Sequence, residues 1–140
     1  VCSSDLVTPD LRIGELPDWL QTYAHQLHKE GLFSEMPDQV IINEYEAGQG
    51  IAPHIDCIPC FGKTIASLSL GSACVIDFAR NKTLEKDSML LEPRSLLVLS
   101  GDARYLWQHG IASRKTDKIN GTTIHRTRRI SMTFRKVVLG

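Results

Sequence analysis

The chain has 140 residues, 42% hydrophobic and 23% charged, with 16 basic side chains balancing 16 acidic ones. This allows one domain with a real core, not two, and excludes the global positive field of a protein that binds nucleic acid or membranes by net charge alone. With no apolar run of membrane-spanning length and only four cysteines, neither a membrane protein nor a disulfide scaffold is expected, and a cytoplasmic monomer is.

Val1 to Leu6 carry neither an initiator methionine nor the basic-then-apolar layout of a secretory signal, which predicts a fragment. Leu16, Leu20, Tyr23 and Leu27 then recur at helical spacing, with Pro17 near the start, Lys29 in the last turn and Gly31 as a stop. One amphipathic helix is predicted in an N-terminal region, 1–36, ahead of a main domain, 37–140. From Gln39 onward the texture changes to short β-rich runs: Val40 to Glu46, Thr64 to Leu70, Cys74 to Ala79, Ser88 to Glu92, Ser95 to Ser100 and Ile130 to Val138. Runs of this length broken by turns predict a mainly β fold, a double-sheet jelly roll with the helix packed on it. Lys115 to Thr127 is polar and aperiodic and reads as a mobile basic loop in which Asp117 is the only acid.

Chemistry concentrates in three places. In a strand, residues i and i+2 share a face, so His54 and Asp56 can point into one cavity while Ile55 packs away from it. His109 follows the apolar run Leu96 to Leu99 through the connection opened by Gly101 and Asp102, and Trp107 and Ile111 are placed to shield it. Two imidazoles and a carboxylate hold non-haem Fe(II) while leaving coordination positions open. The last strand alternates Arg129, Ser131, Thr133 and Arg135 on one face with Ile130, Met132 and Phe134 on the other, and Lys136 breaks the register before Val137. Two arginines flanking two hydroxyls make a fork for a dicarboxylate. Asn43 and Tyr45 share a face and offer an amide and a phenol to the same cavity.

Read together, Asn43-Glu-Tyr45, His54-Ile-Asp56, His109-Gly110 and Arg129-Ile-Ser-Met-Thr-Phe-Arg135 resemble the AlkB family of Fe(II)- and 2-oxoglutarate-dependent dioxygenases, from about Pro37 to Val138. Pro37-Asp38-Gln39, Tyr45 to Gly50, Ser67 to Gly71 and Thr133 to Lys136 further resemble the branch that includes the tRNA wobble-uridine hydroxylase. The resemblance implies a double-stranded β-helix with His54, Asp56 and His109 as iron ligands. It also implies Arg129 on the distal carboxylate of 2-oxoglutarate, Arg135 nearer the keto-acid end, and Asn43 and Tyr45 hydrogen-bonded to the same co-substrate. Ser131 stands where the family often has asparagine, a shorter hydrogen-bonding group, and Thr133 lies on the same face. The cofactors implied are Fe(II), 2-oxoglutarate and O2.

Oxidation of an N-methyl group on a base of DNA or RNA, with loss of formaldehyde, is the leading expectation. Hydroxylation of a tRNA wobble-uridine side chain is the alternative within the family. A protein or lipid hydroxylase and a non-enzymatic metal- or dicarboxylate-binding jelly roll are the readings outside nucleic acid. Phe61, Tyr105 and Trp107 are candidates to receive an extruded base. Repair-type members carry an acid two positions after the metal aspartate, where this chain has Ile58, and the residues before Pro37 leave room for one helix rather than a full nucleotide-recognition lid. Arg114, Lys115, Lys118 and Arg126 fit either phosphate contacts or a solvated loop. Cys57 and Cys60 are expected as free thiols beside the site.

Overall fold

A computed structural model describes residues 14–138, so the reading of Val1 to Leu6 lies outside the described residues. Helix α1 (Asp18–Lys29) begins after Pro17, and Gly31 at φ 82° ends its last turn in the left-handed region that glycine tolerates. Its buried residues are Leu20, Ala24 and Leu27. Tyr23 is 47% exposed, contrary to the helical stripe expected from sequence, because Ala24 rather than its bulkier neighbour faces the sheet.

The strands β1 (Gln39–Tyr45), β2 (Ile51–His54), β3 (Phe61–Gly71), β4 (Cys74–Arg80), β5 (Lys86–Leu91) and β6 (Ser95–Leu99) are followed by a short helix α2 (Gly101–Tyr105). Then come β7 (Trp107–Ile111), β8 (Thr116–Ile119), β9 (Thr122–His125) and β10 (Arg129–Val137). Two four-stranded antiparallel sheets result, β1-β10-β3-β6 and β2-β7-β4-β5, with β8-β9 as a separate ribbon. This is the jelly roll expected from the spacing of the runs.

The faces of β10 sort as the alternation requires. Met132 and Phe134 join Leu20, Ala24, Leu27, Phe33 and Ala66 in one apolar cluster, so α1 covers the outer face of the first sheet. Arg129, Ser131, Thr133 and Arg135 turn the other way, into a cavity between the sheets. A bulge between Arg135 and Val137 marks the expected break at Lys136.

The segment read as a mobile basic loop is the β8-β9 hairpin. Asn120 (φ 50°) and Gly121 (φ 78°) supply the two left-handed residues of a tight hairpin turn, an Asn-Gly signal that the surrounding charge obscured. Asp117 is fully buried at its base. Its Oδ2 accepts from Arg126 Nε at 2.7 Å and from the Val75 N–H at 3.2 Å, and its Oδ1 accepts from Arg126 Nη2 at 2.8 Å and Arg114 Nε at 2.9 Å. Arg126 is therefore a buried structural partner, not a surface charge. Burial pushes the Asp117 carboxyl upward, but the Arg126 and Arg114 bonds outweigh it and hold its pKa below the ordinary value.

Candidate metal and co-substrate site

His54 ends β2 and pairs across the ladder with His109 on β7, which in turn pairs with Phe78 of β4. The two rings lie 4.5 Å apart between centroids. Gly110 makes this approach possible: a Cβ there would sit 3.0 Å from the Ile51 carbonyl oxygen and from the Pro53 Cα and N. Asp56 falls just past the end of β2 rather than within it, yet its carboxylate turns into the same cavity, as the i, i+2 spacing anticipates.

Asp56 Oδ1 lies 3.3 Å from His54 Nε2 and 3.4 Å from His109 Nε2. One ligand atom from each of the three residues falls within 4.8 Å of the others, a set able to hold one metal ion. His54 Nδ1 donates to the Ala52 carbonyl at 2.9 Å, which fixes the tautomer and leaves Nε2 as the lone-pair atom. His109 Nδ1 is buried and has no hydrogen-bond partner among the described residues. The donor set thus fits a divalent metal that takes imidazole and carboxylate ligands.

The charged groups of the cluster perturb one another. Burial raises the Asp56 pKa, but contacts with His109 and His54 and the charge of Arg135 overcome it and hold the carboxyl well below the carboxylate range. Asp56 raises the His54 pKa in return, against the opposing effect of burial. Protons therefore compete with a metal for these ligands.

Arg129 is 5% exposed, its Nη2 donates to Ser69 Oγ at 2.9 Å, and it lies over the Tyr45 ring at 5.5 Å. Its Nε is a buried donor with no partner among the described residues. Such an orphan is costly unless an acceptor comes to it, and a carboxylate in the cavity is the natural one. Arg135 Nη1 donates to Asp56 Oδ2 at 3.0 Å, its Nε to Gln39 Oε1 at 3.0 Å, and its guanidinium lies 4.0 Å from the Phe61 ring centroid. Asn43, Tyr45, Ser131 and Thr133 also border the cavity, which has a volume of about 570 Å³ and an apolar wall that includes Ile51, Ile76, Leu91 and Ile111. All nine site residues read from sequence therefore meet in one place.

Other expectations fare differently. Phe61 lines the cavity, but Tyr105 and Trp107 do not. Tyr105 lies beneath the Arg104 guanidinium, and Trp107 pairs with Arg80 in the β7-β4 ladder. Ile111 flanks His109 as anticipated. Cys57 and Cys60 form a disulfide instead of remaining free thiols, because the turn after Asp56 brings their Cα atoms to 5.3 Å. Ser69, Gln39 and Arg104 were not visible in sequence as site residues: their partners lie 42 to 96 residues away along the chain.

A family model of the 2OG-Fe(II) oxygenase superfamily matches residues 4–135. The chain belongs to this superfamily, in its AlkB family. An uncharacterized protein of Acanthamoeba polyphaga mimivirus is 42% identical over 125 residues, 89% of this chain and 60% of that protein. The tRNA (carboxymethyluridine(34)-5-O)-methyltransferase ALKBH8 of Mus musculus is 42% identical over 140 aligned positions, 89% of this chain and 21% of that protein. The Alkylated DNA repair protein ALKBH8 homolog of Arabidopsis thaliana is 36% identical, over 90% of this chain and 43% of that protein. The chain thus spans between about a fifth and three fifths of the length of these relatives. The solved structure of OsALKBH1 matches with a TM-score of 0.55 over 85% of this chain and 60% of that one, at 22% identity, and shows the AlkB fold to be shared. AlkB-family cofactors are Fe(II) and 2-oxoglutarate, with O2 as oxidant, and the three-ligand cluster fits the metal.

Proposed function

We propose that this chain is the catalytic core of an Fe(II)- and 2-oxoglutarate-dependent dioxygenase that oxidises an alkylated or modified base in nucleic acid, with oxidative N-demethylation as the leading reaction. The observation that carries the proposal is the meeting of His54, Asp56 and His109 with Arg129, whose Nε is an unpartnered buried donor among the described residues, in one cavity. Bound Fe(II), 2-oxoglutarate and O2 together supply oxidation of a C–H bond, with 2-oxoglutarate leaving as succinate and CO2.

The protein's part is binding and orientation. His54, Asp56 and His109 would hold Fe(II) through one carboxylate and two imidazole nitrogens. Arg129 would pair with the distal carboxylate of 2-oxoglutarate, and Asn43, Tyr45, Ser131 and Thr133, on the same cavity, would supply hydrogen-bonding groups to it. The apolar wall of Ile51, Ile76, Leu91 and Ile111 would limit water around the reacting atoms. Phe61 is the aromatic group on the cavity wall that an extruded base can meet. Lys115, just ahead of the hairpin, and Lys118 on it are exposed and suit phosphate contacts.

Hydroxylation of a stable carbon on a tRNA uridine is a second reading, favoured by two observations. The mouse relative is named for a carboxymethyluridine of tRNA, and position 58, acidic in repair-type members, is here an isoleucine 48% exposed to solvent. One experiment separates the readings. The chain is loaded anaerobically with Fe(II) and 2-oxoglutarate, then given O2 with methylated oligonucleotides or tRNA, and products are read by mass. Formaldehyde matching succinate supports demethylation, and a base gaining one oxygen supports hydroxylation. Succinate release that no nucleic acid stimulates rejects both.

A further inference from the structure

We propose that Arg104 is a positioning residue for the metal site, acting through the backbone segment that carries Asp56. Arg104 sits on α2 and is 2% exposed. Its guanidinium donates to main-chain carbonyls of one short stretch: Nη1 to Asp56 O at 2.8 Å, Nη2 to Cys57 O at 3.1 Å and Phe61 O at 3.3 Å, and Nε to Gly62 O at 3.1 Å. Residues 55–60 lie outside the strands, so the carbonyls of Asp56 and Cys57 have no ladder to join. Buried carbonyls of this kind need donors, and a planar guanidinium supplies several in fixed directions.

The segment so held contributes twice to the site. It begins with Asp56, the one anionic member of the metal cluster, and ends with Phe61, whose ring lies under the Arg135 guanidinium that bonds Asp56 Oδ2. Arg104 also lies just ahead of β7, which carries His109. One side chain therefore ties the Asp56 segment to the element that leads into the His109 strand. Its guanidinium bonds the Asp56 main chain and leaves the carboxylate to the metal site, so it tunes the geometry of the ligands rather than touching the reacting atoms. A lysine in its place has one point of charge and cannot span carbonyls from Asp56 to Gly62.

The inference rests on the oxygenase reading, and its test separates the two. Mn(II) is titrated into the metal-free chain without substrate, in wild type, Arg104→Gln, Arg104→Lys and Leu20→Ala, the last a core truncation in the α1 cluster remote from the site. Each Kd is set beside the Tm of the metal-free protein. Arg104→Gln should bind about 10–100-fold more weakly and Arg104→Lys should fall between it and wild type, while Leu20→Ala should lose Tm and keep its Kd within about twofold. Whichever Arg104 variants fold decide the matter: Kd values within about twofold of wild type overturn the positioning role. So does a Leu20→Ala protein that weakens to the same degree as the Arg104 variants. A wild-type chain that binds no Mn(II) fails the oxygenase reading itself.

Discussion

Asp56 divides its carboxylate: Oδ2 accepts from Arg135 at 3.0 Å, while Oδ1 faces both His54 and His109. The guanidinium fixes the rotation of the carboxylate and offsets its charge in a buried setting, so the oxygen aimed at the metal stays ionised. Replacing Arg135 with methionine keeps much of the packing on Phe61 and removes that bond. Mn(II) affinity should fall about 10–100-fold, as read by titration of the metal-free chain.

Arg129 tests the other half of the cavity. Its orphaned Nε and its bond to Ser69 prepare a guanidinium for a carboxylate, and it is not among the three residues of the metal cluster. Arg129→Met should raise the KM for 2-oxoglutarate by about 10–100-fold, the loss of a charge-assisted hydrogen bond, while the Mn(II) Kd stays near wild type. Parallel losses of both would place Arg129 in the metal site instead.

Gly110 sets the distance between the strands that carry the two imidazoles. An alanine methyl would press on the Ile51 oxygen and the Pro53 backbone at 3.0 Å, forcing β2 away from β7 and His54 away from His109. Gly110→Ala should fold with a stability loss of about 1–3 kcal/mol, the usual cost of overpacking, and bind metal distinctly more weakly. Thermal melts with and without Mn(II) report both effects.

Much of the site is legible in the sequence. The alternation along β10 and the pairing of hydrophobic and polar positions in β1 are local signals with a period of two, and they placed Arg129, Ser131, Thr133, Arg135, Asn43 and Tyr45 correctly on one face. What was missed depends on contacts between distant parts of the chain. Asp117 stood out as the only acid among basic neighbours, yet its choice of Arg126 and Arg114 appears only when the ribbon folds back on Val75. The role of Arg104 carries no sequence signature, because the groups it holds in the Asp56 segment are carbonyls, which every residue possesses. Tyr23 departs from the helical stripe for a smaller reason: two adjacent apolar positions compete for one face, and packing favours the smaller.

The hairpin staple has a pH dependence of known sign. Folding lowers the Asp117 pKa, so its contribution is complete above the unfolded value near ~3.9 and is lost as pH falls through the lower folded value. Asp117→Asn leaves the Arg126 cation buried without its counter-charge and should cost about 3–5 kcal/mol at pH 7. Urea unfolding of wild type and variant should show the gap narrowing only at pH values below ~3.9. A gap that is unchanged in acid would show that charge is not its source.

The most direct test of the central claim is an anaerobic Fe(II) titration of the metal-free chain beside its Asp56→Ala variant. The geometry predicts one tightly held ion per wild-type chain and none in the variant, with circular dichroism showing both folded. Equal binding by the two proteins would contradict it, because the cluster of His54, Asp56 and His109 would then not be where the metal resides.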